Sequence, residues 1–128
     1  MSGPVLNRRA CGLGLLAGLA ATPAYAHHSF AMFDRTKETT LKGVVKEVQW
    51  TNPHVFIQLL VKDKRGKDVE WSLEGGSPGI LERNGWKRTS VGAGEPVTVV
   101  VYALKNGKPG GSFIEVAKAD GKKFYYHG

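Results

Sequence analysis

One short helix signal interrupts a chain otherwise written in strands. Residues 68–74 (DVEWSLE) alternate strictly, with Val69, Trp71 and Leu73 on one face and Glu70, Ser72 and Glu74 on the other. A period of two belongs to a strand. Gly75-Gly76 ends it. Ser77-Pro78 then offers an N-cap followed by proline at the first helical position. The following residues, GILERN, give one or two turns before Gly85, so the pattern predicts a helix over about Ser77–Asn84.

On both sides of that helix the texture is β. Residues 39–50 (TTLKGVVKEVQW) form a long first strand, with Gly43 as the expected bend or bulge. Thr51-Asn52-Pro53 reads as a turn. Residues 54–61 (HVFIQLLV) are an almost continuous apolar strand, separated from residues 68–74 by the charged, glycine-containing hairpin KDKRGKD. After the helix come strands at 96–104 (PVTVVVYAL) and 112–118 (SFIEVAK), then a short strand or tail, KKFYY. Three strands, a helix, then two or three strands is the order of an OB-fold. The expected class is all-β, a small OB-fold-like barrel with the helix between strands 3 and 4. A small open β-sandwich is the alternative. Closure would hide sheet edges, which a chain with one cysteine cannot protect with an intrachain disulfide.

The first 26 residues read differently. Arg8-Arg9 precedes an uncharged run, residues 10–21, and then Ala24-Tyr25-Ala26. Basic, apolar, then A-x-A is the order of a secretory signal peptide, and the run is too short to span a bilayer. The arginine pair also fits a twin-arginine route. Cleavage after Ala26 would leave 102 of the 128 residues: an N-terminal arm, 27–38, and a barrel domain, 39–128. The leader holds two of the 18 basic residues and none of the 11 acidic ones, leaving 16 against 11, a net charge of +5. Cys11 would leave with the leader. Scattered lysines and a periplasmic destination argue against nucleic acid. Weak attraction to anionic lipid or cell-wall polymers remains a reading of the charge.

The blocks HHSFAMFD (27–34), LKGVVKEVQWTNPH (41–54), EWSLEGGSPGIL (70–81), GWKR (85–88) and PGGSF (109–113) resemble a family of short exported bacterial proteins of unknown function. The HHSF and WTNPH blocks are the most specific. The resemblance implies export and a single domain, and brings no activity with it.

No catalytic constellation emerges: no Ser-His-Asp set, no HExxH, no phosphate-cradling glycine loop. Glu70 and Glu74 read as solvated strand residues. Gly75-Gly76 and Gly110-Gly111 read as turn residues. The histidines are more informative. As a mature N-terminal residue, His27 offers its α-amine and ring Nδ1 to one metal. A second histidine would complete a planar three-nitrogen set, which suits Cu(II). This is similar to the histidine brace of exported copper proteins. His54, behind the Asn52-Pro53 turn, is the expected second ligand. His28 could replace it, or supply its own amide and ring nitrogens beside the amine. His127 reads as a tail side chain. Phe30, Met32 and Phe33 would pin the arm, with Met32 also a weak axial donor. A second class of function is an OB-fold module binding a saccharide or peptide, with Trp50 and Trp86 as exposed stacking surfaces and Trp71 in the core.

Overall fold

The computed structural model describes residues 2–3 and 30–128. The elements are a 3-10 turn (Phe30–Met32), β1 (Thr39–Gln49), β2 (Phe56–Lys62), β3 (Asp68–Glu74), α1 (Pro78–Arg83), β4 (Pro96–Ala103), β5 (Gly110–Lys118) and β6 (Lys123–Tyr125). The strands pair in the order β3-β2-β1-β4-β5-β6, and a parallel β3–β5 pairing closes the first five into a barrel. The circuit β1-β2-β3-β5-β4 with one helix between β3 and β4 is the OB-fold-like barrel that the strand–helix order predicts.

Strand β1 serves both halves. Its residues 39–44 pair with β4 while residues 43–49 pair with β2. The register against β2 slips between Val45 and Glu47, so the bulge lies beyond Gly43 rather than at it. Gly43 has a different cause: a Cβ there would stand 2.3 Å from the Leu60 carbonyl oxygen. The bulge also resets the alternation. Leu41 and Val45 point inward before it, and Val48 and Trp50 pack on the core after it.

The interior is filled by Ile57, Leu59, Leu73, Val97, Val99, Val101, Phe113 and Val116. Ser77 caps α1 through its Oγ, which accepts from the Ile80 N–H, and Leu81 carries the helix into the core. Trp86 follows, 5.4 Å from the Phe113 ring and 5.1 Å from the Phe124 ring. Its indole N–H donates to the Tyr125 carbonyl. Burying side chains such as Leu81 and Phe113 contributes roughly 2 kcal/mol each. No helix among the described residues is long and apolar enough to cross a membrane.

Candidate functional site

The site is built from the backbone ladder at the C-terminal end of β3. Asn52-Pro53 is a cis peptide, and two residues later the Val55 N–H donates to the Gly76 carbonyl while the Val55 carbonyl accepts from the Gly75 N–H. The ladder thus begins just before β2 itself, and His54 stands ahead of the strand rather than within it. Phe56 pairs with Glu74. His54 and Glu74 are therefore diagonal neighbours across an antiparallel pair, a geometry that long side chains can bridge. The His54 Nδ1 meets the Glu74 Oε1 directly.

The two residues differ in exposure. The Glu74 side chain is 10% accessible and that of His54 is 38%. Glu74 is therefore not the solvated strand carboxylate that the alternation of DVEWSLE suggests. The alternation describes two faces, but at Glu74 the outer face is covered. Glu70 does fit that expectation: it is exposed and pairs with Lys46 at 2.7 Å. The His54 Nε2 has no partner among the described residues and is not buried, so it opens to solvent.

The end of the chain packs near Glu74. Glu74 lies beside Ser112 across the parallel β3–β5 pairing. The Tyr126 N–H donates to the Ile114 carbonyl, and the buried Tyr126 ring leans on Phe113. Burial, and then the charge of Glu74, push the Tyr126 hydroxyl above its ordinary value. Gly75 and Gly76 make this packing possible. A Cβ on Gly75 would lie 2.2 Å from the Phe113 ring, and one on Gly76 would lie 2.8 Å from the Tyr126 ring. They are close-approach residues, not the turn residues expected from the sequence.

The arm reaches the same region from the other side. Met32 accepts from the Lys105 N–H, Phe33 forms a bridge with Leu104, and the Asp34 N–H donates to Ala103. Phe33 is buried and Met32 half-buried, as their pinning role requires. Phe33, Ser112 and Tyr126 line one shallow hollow.

His27 and His28, and the leader with its cleavage site, lie outside the described residues. His127 is exposed and stacks on Tyr125, with centroids 6.2 Å apart. Among the described residues no three His, Cys, Asp or Glu side chains converge on a metal-sized site. His54 and Glu74 alone therefore do not make a metal site among the described residues.

The tryptophan expectation is corrected. Trp50 is 9% accessible and Trp86 is 3%, so neither presents a ring for stacking. Flanking a loop did not expose them, because both fold back over the barrel interior. Trp71, placed in the core by its alternation, is only half-buried at the core margin.

The model of a family of unknown function (DUF6152) matches residues 15–115, and the chain belongs to that family. No curated protein matches the chain, and no solved structure matches it.

Proposed function

We propose that the protein is an exported, periplasmic copper(II)-binding protein whose ligands are the mature N-terminal His27, through its amine and ring, and the His54 Nε2. The observation that carries the reading is the His54–Glu74 pair. Metal-ligating histidines commonly give their second ring nitrogen to a carboxylate, which sets the tautomer and the ring's orientation. Here a buried carboxylate holds Nδ1 while Nε2 stays open. The arm supplies a tether: Phe33 bridges Leu104 and the Asp34 N–H donates to the Ala103 carbonyl, so His27, six residues before Phe33, is anchored to the barrel.

Copper would supply a tetragonal, nitrogen-preferring centre. This chain supplies an oriented imidazole on a rigid ladder and a tethered second donor set. A glycine inserted before His27 keeps every side chain but moves the amine out of its chelate ring. With protein purified after export, the native chain should bind one Cu(II) by titration and show nitrogen ligation by electron paramagnetic resonance. The extended chain and His27→Ala should lose most of that affinity, and His127→Ala should retain it. Affinity should weaken as pH falls through the histidine and α-amine range, because protons compete for the same nitrogens. Unchanged binding in His54→Ala would leave a local His27–His28 site. Equal affinity in the glycine-extended chain would overturn the reading.

A further inference from the structure

We infer that a lysine-lined hollow at the β5–β6 end of the barrel is a binding site for a phosphoryl-type oxyanion. This site is separate from His54 and independent of copper. The hollow has a volume of about 180 Å³ and is lined by Gly85, Lys87, Thr89, Ser90, Lys118, Lys122 and Phe124. A hollow of that size holds several waters, enough for a phosphate group. Three lysines, a threonine and a serine line it, and no acidic residue does.

The lysines are brought together by the fold. The Lys118 N–H donates to the Lys122 carbonyl, one step beyond the Ala117–Lys123 pair, so the two lysines face each other across the hairpin. Like charges directly opposite in an antiparallel pair are destabilising. Lys118 is offset by Glu95 at 2.9 Å and also donates to the Ser90 carbonyl, which leaves one N–H unused. Lys122 lies over the Phe124 ring, and its backbone N–H is held by Asp120 in the turn. Lys87 is exposed and its ammonium has no partner among the described residues; its backbone N–H donates to the Ser90 Oγ, which fixes the segment. Two lysines whose ammonium groups have no carboxylate partner among the described residues therefore line the same hollow as a third, partly neutralised one. An oxyanion would relieve their repulsion and accept several charge-assisted hydrogen bonds.

The same chemistry could come from free phosphate or from a phospholipid headgroup, so the test uses both. Full-length chain is titrated with inorganic phosphate and followed by amide NMR. In parallel it is sedimented with phosphatidylcholine vesicles containing phosphatidylglycerol. The pocket variant Lys87→Gln/Lys122→Gln is compared with Lys64→Gln/Arg65→Gln, which removes the same charge from the exposed β2–β3 loop. Saturable shifts confined to residues 85–90 and 118–122, weakened about tenfold or more in the pocket variant and unchanged in the loop variant, support a free-ion site. Vesicle binding with that same variant pattern, without phosphate shifts, supports a headgroup site. Equal weakening in both variants would reduce the effect to net charge and overturn the site, as would the absence of binding to either probe.

Discussion

At the scale of single residues, Glu74 and the two glycines after it decide what the region can be. Glu74→Gln keeps the shape but replaces a carboxylate that holds Nδ1. On the copper reading, affinity should fall about tenfold, as for other outer-shell partners. Glu70→Gln, on the exposed pair with Lys46, should leave copper titrations unchanged. Gly75→Ala would drive a methyl into the Phe113 ring. It should destabilise the fold by about 3 kcal/mol, read as a lower urea midpoint. His54 was legible in the sequence because it follows a rigid turn. Its partner was not, because alternation assigns a face and cannot say whether a distant segment covers it. Tyr126, 52 residues further along the chain, packs on Gly76 near enough for the Glu74 charge to act on its hydroxyl. Trp50 and Trp86 failed for the same reason in reverse. A loop-flanking aromatic looks exposed until the whole barrel shows an interior with room for it.

At the scale of elements, the strands were readable because turn and cap chemistry separates them: Gly66 in one hairpin, Ser77-Pro78 at the start of the helix, Asp120-Gly121 before β6. The β1 bulge was not, since Gly43 drew attention two residues too early. The segment entering β4 carries its own electrostatic lock. Glu95 accepts from the Gly92 N–H and pairs with Lys118 on β5, while its carbonyl accepts from Val45 at the bulge. The Lys118 hydrogen bond, then the Gly92 bond, hold the Glu95 carboxyl below its ordinary value of 4.5. A carboxyl lowered in the folded state adds stability that is present above the unfolded value and lost as pH falls through the folded one. With a third of the side chain exposed, the contribution is about 1 kcal/mol after allowance for screening. Glu95→Gln should thus lower stability at neutral pH. In urea melts across pH, the gap from the native chain should persist above the ordinary value of 4.5 and shrink as pH falls below it and through the lowered folded one.

At the scale of the whole molecule, the barrel is two local meanders, β1-β2-β3 and β4-β5-β6, joined by β1–β4 and by a β3–β5 seam of three residue pairs. Thr39 pairs with Val101, so the joining contacts are among the most distant in sequence. Such non-local pairings form slowly, over milliseconds to seconds in β-rich domains. The arm is bound to β4, whereas His54 and Glu74 belong to the β2–β3 hairpin. A metal shared by the arm and His54 would therefore act as a kinetic staple across the two meanders. It would engage after closure and so slow opening more than it speeds assembly. In stopped-flow urea experiments, Cu(II) should lower the unfolding rate and leave the refolding rate nearly unchanged. An unfolding rate indifferent to copper would mean that both ends of the chelate lie on the arm, and that the barrel opens and closes without regard to it.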